Sequence, residues 1–317
     1  MFRWLRTSLF GISPAEASFR QRGFLAVAAP TQQRLEQCGQ SFIEGYNAAL
    51  RFGNAHGVTR QLAAIGDEQS GFAFEGAAMG LALLDGLTIG PATRLRDFLR
   101  AEGQQHVYMV FVGVGWAAAR LPWYRHRVTR YIDQFDPLLR WLVVDGFGFH
   151  HGYFNHHTAI GRQMLPNGVF GYARQAFDQG LGRSLWFVAG GDVGRIRDCI
   201  EAFDERRRPD LYGGIGLACA YAGGVDDCEI ERLAASSVEY VPQLAQGAAF
   251  AAKARQRAEN PAEHTDRACR VLCGTSAAEA ARITDQCLAK LPDDAELPAY
   301  EIWRNRIQQH FLAEVPT

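Results

Sequence analysis

The chain has 317 residues, of which 48% are apolar and 21% are charged, and its formal net charge is −1. This composition is ordinary for a soluble folded protein. The balanced charge argues against nucleic acid or an anionic membrane as a partner, since both favour clustered positive charge. No apolar run reaches the roughly 18 residues that a membrane-spanning helix requires.

Residues 1–24 contain an apolar patch too short for the core of a secretory signal. We therefore expect a cytoplasmic protein whose N-terminal arm docks on the body through four aromatic residues, Phe2, Trp4, Phe19 and Phe24. The seven cysteines are odd in number and form no CxxC pair, so they predict reduced and mostly buried thiols rather than a zinc or redox motif. They are Cys38, Cys199, Cys219, Cys228, Cys269, Cys273 and Cys287.

A short glycine motif recurs along the chain. Gly-x-Gly or Gly-x-Ala openings, each followed by an apolar stretch, are spaced by 37, 33, 34, 34 and 33 residues. This period is typical of helix–turn–helix repeats. The openings begin at Gly76, Gly113, Gly146, Gly180, Gly214 and Gly247.

The segments between the openings show the apolar spacing of second helices, with prolines and glycines between them. We predict these helices over residues 92–103, 128–143 (interrupted near Pro137), 193–206 and 228–245. Residues 106–114 would suit a strand alone, but their place in the repeat favours a helix. The prediction is an all-α, TPR-like array of about six helical hairpins in one domain over residues 1–317. Its parts are the arm (1–24), an atypical first unit (25–70), the repeats (71–263) and a C-terminal helical cap (264–317).

Glycine inside a helix costs about 1 kcal/mol relative to alanine, so its recurrence needs a reason. The residues at the first, third and fifth positions of the openings are almost all Gly, Ala or Ser. This predicts that neighbouring helices pack against bare backbone there. The fifth position has one exception, because His150 stands where the other openings carry Gly80, Ala117, Ser184, Ala218 and Ala251.

A second face of the same helices combines polar residues with large apolar ones. The residue before each opening lies one turn ahead of the fourth position and two turns ahead of the eighth. This stripe predicts a groove that binds a mostly apolar ligand at a few polar points. Its members are Glu75/Met79/Leu83, Val112/Trp116/Arg120, Asp145/Phe149/Tyr153, Gln179/Arg183/Phe187, Gly213/Leu217/Tyr221 and Gln246/Phe250/Ala254.

The densest cluster of titratable side chains is Asp145 with His150 and His151, followed by His156 and His157. One interpretation is acid–base chemistry, with Asp145 orienting a histidine that moves a proton near neutral pH. The alternative is structural, with a hydrogen-bonded His150 and solvated loop histidines. Metal binding is disfavoured because the spacing differs from the i,i+3 and i,i+4 pairs of helical metal sites.

Two further polar groups are candidates for the groove. A carboxyl at Glu75, in the charge-free run 71–84, would have a raised pKa if unpaired and would suit a general acid or base. A salt bridge from a neighbouring unit is the alternative. Arg183, with Gln179 beside it on the stripe, would fix an acidic group of a ligand or form an ion pair between repeats.

Known cofactor-binding and catalytic motifs are missing from the sequence. The chain has no P-loop, no dinucleotide-binding fingerprint with its preceding strand, no GxSxG elbow and no aspartate-rich cyclase element. We therefore expect no cofactor and no bound metal.

Several long strings resemble a bacterial family associated with enediyne and related polyketide biosynthetic clusters. They include GFAFEGAAMGLALLDGL (71–87), LRWLVVDGFGFHHGYF (139–154) and FDQGLGRSLWFVAGGDVGRI (177–196), and the resemblance extends over nearly the whole chain. It implies work on a bulky polyketide-derived intermediate. At least part of the family resembles cofactor-independent cyclases that join carbon centres within one molecule, including an anthraquinone part and an enediyne part. The resemblance places an acidic residue where this chain has His151.

Two hypotheses follow. The first is a cofactor-free cyclase with Asp145, His150 or Glu75 as the proton-transferring group. Its substrate-binding residues would be Trp116, Phe149, His151, Tyr153, Gln179, Arg183 and Phe187. The second is a non-catalytic helical scaffold that binds an intermediate or a partner protein. A small-molecule substrate is the expected partner, and the sequence leaves room for a homodimer.

Overall fold

Helices account for all the regular structure in the computed structural model, which describes residues 3–88, 92–292 and 296–313. No strand occurs in those ranges, so the prediction of an all-α protein is confirmed. The α-helices are α1 (Arg3–Phe10), α2 (Phe19–Arg22), α3 (Ala29–Phe52), α4 (Ala55–Leu62), α5 (Asp67–Gly86), α6 (Arg94–Arg100), α7 (Val107–Arg120), α8 (Pro122–Arg125), α9 (Val128–Tyr131), α10 (Arg140–Phe154), α11 (Ala173–Val188), α12 (Val193–Glu201), α13 (Arg208–Ala222), α14 (Asp227–Ser236), α15 (Val241–Arg257), α16 (Glu263–Leu272), α17 (Ala277–Leu288) and α18 (Ala299–Ala313). Short 3-10 turns cover Pro14–Ala17, Glu102–Gln104, Ile132–Gln134, Glu205–Arg207 and Val238–Tyr240, and a π-helical turn covers His157–Gly161.

The long helices α3, α5, α7, α10, α11, α13 and α15 form an inner layer, in which each packs against the next. α5, α7, α10 and α13 are buried along most of their length, as expected of helices that are apolar on nearly all sides. Shorter helices form an outer layer, where α12 packs on α14 and α14 on α16. Within the described ranges, no helix is both long enough and apolar enough to cross a bilayer.

The inner layer curves until distant helices meet. α3 contacts α13, and the Arg34 Nε donates a hydrogen bond of 2.9 Å to the carbonyl oxygen of Ala222. Beyond the end of α15, the Asn260 Nδ2 donates a bond of 3.0 Å to the carbonyl oxygen of Asp67, at the start of α5. The concave side of the layer is therefore an interior rather than an open groove.

The recurring glycines lie where inner helices cross. A Cβ at the first glycine of each opening would come within 1.8–2.1 Å of a carbonyl oxygen on the preceding inner helix. A Cβ at the third-position glycines Gly115, Gly148, Gly182 and Gly216 would come within 2.1–2.2 Å of a carbonyl oxygen on the following one. Each such helix thus presents bare backbone to both neighbours, which confirms the predicted reason for the glycines.

Three of the predicted second helices are shorter than expected. α6 covers only Arg94–Arg100 of the predicted 92–103. α12 ends at Glu201 rather than continuing to 206, and α14 ends at Ser236 rather than continuing to 245. The predicted interruption of 128–143 near Pro137 is confirmed, because α9 ends at Tyr131 and α10 begins at Arg140. Pro137 between them has no amide hydrogen to donate, so it interrupts the helix.

The N-terminal arm docks with only part of the predicted aromatic set. Phe19 and Phe24 are buried, whereas Trp4 is 68% exposed, and Phe2 lies outside the described residues. The predicted cap contains α16, α17 and α18, with residues 293–295 and 314–317 outside the described ranges.

The seven cysteines are free thiols. Four of them, Cys38, Cys219, Cys269 and Cys273, are buried, and Cys228 is exposed. The prediction of reduced and mostly buried cysteines is therefore confirmed.

Candidate functional site

An apolar cavity, here called the first cavity, lies inside the curved inner layer. Residues of α3, α5, α7, α10, α11 and α13 line it. Eight members of the sequence stripe are among them, namely Glu75, Trp116, Phe149, Tyr153, Arg183, Phe187, Leu217 and Tyr221. These side chains share one face because they recur at one-turn intervals on helices held in register by the glycine crossings.

Aromatic rings form most of the cavity wall. The Trp116 ring lies 4.4 Å from the Phe42 ring and 5.1 Å from the Phe149 ring, measured between centroids. Phe149 in turn meets Phe187 edge to face at 5.5 Å. Rings that support one another in this way give a rigid apolar surface, which suits the binding of a flat or polycyclic molecule.

Two carboxyl groups, Glu16 and Glu75, line this cavity, and Glu75 is the buried one. Its side chain is 2% exposed, and it forms no ion pair with a described residue. Burial raises the pKa of Glu75 to about 7 against the lowering effect of Arg183, while the charge of Asp145 raises it further. A carboxyl with a pKa near neutrality can both accept and return a proton, which is the property required of a general acid–base.

Arg183 reaches the cavity from a buried polar network. Its Nη1 donates a hydrogen bond to the Oδ1 of Asp145, and its guanidinium lies 5.0 Å from the centre of the Phe149 ring. The Gln179 Nε2 donates to the Asp145 Oδ2 at 2.8 Å and to the Tyr300 hydroxyl at 3.2 Å. Asp145 and Gln179 do not line the cavity. Asp145 therefore orients Arg183 from behind, instead of facing a ligand.

The two histidines of the sequence hypothesis lie away from the cavity lining. His150 is one residue beyond Phe149, a turn of about 100° around the helix, and packs against the edge of Trp116 at 5.6 Å. His151 packs on Phe147 at 4.6 Å. Burial lowers the pKa of His150 well below its ordinary value and that of His151 to about 4. Both rings are therefore neutral at physiological pH, and neither meets Glu75 inside the cavity.

No group of three or more His, Cys, Asp or Glu side chains is arranged to hold a metal ion in the part of the chain that the structure describes.

The sequence model of one protein family, described as "Protein of unknown function (DUF1702)", matches residues 1–311. The chain belongs to this family. No curated protein and no solved structure matches the chain.

In this member of the DUF1702 family, the C-terminal helix, which the sequence predicted only as part of a cap, contributes residues to the interior cavities. Tyr300 and Trp303 of α18 line a second cavity beside the first, and Arg304 lies 1% exposed in the interior. A Cβ at Gly213 would lie 3.4 Å from the Arg304 Nη2. The stripe position that carries no side chain therefore leaves room for a guanidinium from α18. The only sequence signal was the missing side chain at Gly213, which does not reveal what fills the space.

Proposed function

We propose that this protein is a cofactor-independent cyclase that forms a C–C bond within one polyketide-derived molecule of the enediyne or anthraquinone type. The substrate class comes from the resemblance of its long sequence strings to the enediyne-associated family. The first cavity supports a small-molecule substrate, because its lining is mostly apolar and aromatic with a few polar side chains, as in sites that bind small molecules.

The observation that carries the proposal is the position of Glu75, a carboxyl with a pKa of about 7 inside an aromatic cavity. As a carboxylate, Glu75 would remove a proton from a carbon next to a carbonyl group of the substrate. The guanidinium of Arg183 would stabilise the negative oxygen of the resulting enolate. The enolate carbon would then attack a second carbonyl carbon, and the new alkoxide would take back the proton from Glu75. This sequence is neutral in redox terms and uses no cofactor.

The aromatic wall would supply the rest of the rate enhancement. An intramolecular cyclisation requires that two distant carbons of a flexible molecule meet, and holding them at reacting distance removes much of the entropic barrier. Trp116, Phe149 and Phe187 pack on one another and so provide surfaces that do not move when the substrate binds.

For the fold, we propose that the inner and outer helices are about six TPR-like helical hairpins with a period near 34 residues. The equivalent glycine crossings along the inner layer support this assignment. We also propose that the protein works in the cytoplasm on a small-molecule substrate.

A non-catalytic binding protein is the second candidate function. The pairing of Asp145 with Arg183 and the position of His150 outside the cavity favour it, since a binding scaffold needs no free acid–base groups. In that case the cavity would hold and protect a reactive intermediate, and Glu75 would only contribute to ligand recognition.

Deletion of the gene in its producing organism, followed by metabolite profiling, separates the two functions. The deletion strain would be complemented with wild type, with Glu75→Gln or with Asp210→Asn. Asp210 is a matched control because burial raises its pKa to about 7 as well, yet it lines neither cavity and pairs with Arg304 at 2.8 Å.

For a cyclase, the deletion strain accumulates an uncyclised precursor, which wild type and Asp210→Asn convert and Glu75→Gln does not. A lower product titre without a new intermediate, with equal rescue by all three genes, would support the binding protein instead.

A further inference from the structure

The second cavity adjoins the first, with which it shares lining residues. Phe250 of α15 and Trp303 of α18 form part of its wall, with ring centroids 4.6 Å apart. Along α7, Met109 and Val112 line the second cavity and Trp116, one turn further on, lines the first. The interior is therefore divided along its length into two aromatic chambers.

Three residues, Arg183, Leu217 and Tyr221, line both cavities and so form the boundary between them. Arg183 and Tyr221 are 4% and 2% exposed. The Nε of Arg183 and the hydroxyl of Tyr221 are buried without a hydrogen-bond partner among the described residues. Two unsatisfied donors at one boundary would carry a substantial desolvation cost unless a bound molecule accepted their hydrogen bonds.

The surroundings of these donors favour an acceptor that carries negative charge. The guanidinium of Arg183 is cationic, and the Tyr221 hydroxyl lies over Gly71, where a Cβ would come within 1.8 Å of it. The Gly71 backbone thus gives the hydroxyl the space that it occupies at the boundary. On either side of this polar point the walls are almost wholly apolar.

We infer that the two cavities together bind one molecule with two aromatic parts, and that Arg183 and Tyr221 hold an anionic oxygen at the joint between them. A phenolate, enolate or carboxylate would supply this oxygen. The inference rests on the proposed function only in taking a small molecule as the occupant, and it names the shape and charge of that molecule. Arg183 and Tyr221 are then specificity-determining residues.

Three probes of related structure test the inference on the full chain by fluorescence titration. 8-Anilinonaphthalene-1-sulfonate has two aromatic parts and a sulfonate beside their joint, whereas N-phenyl-1-naphthylamine lacks the sulfonate and naphthalene-1-sulfonate lacks the second ring. We expect one molecule of the first probe to bind per chain, at least about tenfold more tightly than either of the others. This factor corresponds to one charge-assisted hydrogen bond. Equal affinity for the first two probes would overturn the anionic joint.

A substitution that fills the second cavity tests separately whether that cavity binds one of the two aromatic parts of the ligand. Ala254 lines that cavity, so Ala254→Leu should weaken the two-ring probes about tenfold and leave naphthalene-1-sulfonate, measured by competition, within about twofold. Ala235→Leu, which adds the same atoms to an exposed position of α14, is the matched control. Unchanged binding of the two-ring probes to Ala254→Leu would overturn the two-part ligand.

Replacing Arg183 alone would leave Asp145 buried and unpaired, so the double variant Arg183→Met/Asp145→Asn is the appropriate test of the charge. It should lose most of the preference for the sulfonate probe over N-phenyl-1-naphthylamine, after circular dichroism has established that it is folded. An undiminished preference for the sulfonate would contradict the role of Arg183. These titrations do not depend on turnover, so a protein that binds the probes as expected but converts no precursor would refute only the cyclase.

Discussion

Replacing Glu75 with glutamine should change how stability depends on pH. The pKa of Glu75 rises from 4.5, the value of an exposed glutamate, to about 7 in the folded protein. Between these values the unfolded chain has lost the proton and the folded chain still holds it, so this group makes stability fall as pH rises. A tenfold change in proton affinity corresponds to about 1.4 kcal/mol, which places the upper limit of the loss at roughly 3 kcal/mol.

Glutamine keeps the shape of the side chain and does not titrate. Relative to wild type, Glu75→Gln should therefore gain up to roughly 3 kcal/mol of unfolding free energy between pH 4.5 and pH 7. Urea denaturation followed by circular dichroism at several pH values in this window measures the difference. Taking the difference cancels other titrating groups, including Asp210, whose pKa is also raised, and His264, whose pKa is lowered to about 4.

Glu239→Gln, at an exposed position, is the matched control and should show a difference that does not vary with pH. If the difference between Glu75→Gln and wild type were equally constant, Glu75 would have an ordinary pKa. The reasoning that makes it an acid–base group would then be refuted.

Three further predictions concern catalysis, packing and the thiols. The rate of the proposed cyclisation should fall as pH drops below about 7, because Glu75 must be ionised to accept a proton, and a rate independent of pH in this range would contradict its role as the base. Gly180→Ala should lower the unfolding free energy by about 1–3 kcal/mol in urea denaturation, because its Cβ would lie 1.8 Å from a carbonyl oxygen of α10. Gly66→Ala is the control and should have little effect, because its Cβ would meet nothing within 4 Å. Equal losses in the two variants would refute the close packing of α11 on α10 at Gly180. Iodoacetamide should alkylate exposed Cys228 in the native protein well before buried Cys38, whose pKa is raised to about 12, as peptide mass spectrometry would show; equal rates would contradict the burial.

Sequence periodicity was sufficient to predict the main wall of the first cavity. Glycine recurrence aligns the helices with one another, so the residues one and two turns along each helix necessarily share a face. This reasoning assigned Trp116, Phe149, Arg183 and Phe187 to one interior surface, which they line. It also identified Glu75 as a carboxyl whose pKa would be raised if unpaired, and its pKa is raised to about 7.

Contacts between distant parts of the chain were not predictable in this way. His150 is the one bulky residue at the fifth position of the openings. That position follows a stripe residue directly, so its side chain points about 100° away from the stripe. The His150 ring accordingly packs on Trp116 outside the cavity lining. Asp145 belongs to the stripe, but its carboxylate pairs with Arg183 and does not line the cavity. The contribution of α18 depends on how the chain returns to its own interior, which no repeat period specifies.

Conversion of the purified precursor by the purified protein tests the central claim most directly. The compound that accumulates in the deletion strain would be incubated with wild type, Glu75→Gln and Asp210→Asn, without any added cofactor, and the products would be separated by chromatography with mass detection. The account predicts a cyclised isomer of unchanged mass with wild type and Asp210→Asn, and a rate about 10²–10⁴-fold lower with Glu75→Gln. Tight binding of the precursor to wild type without any conversion would contradict the cyclase and leave a binding protein.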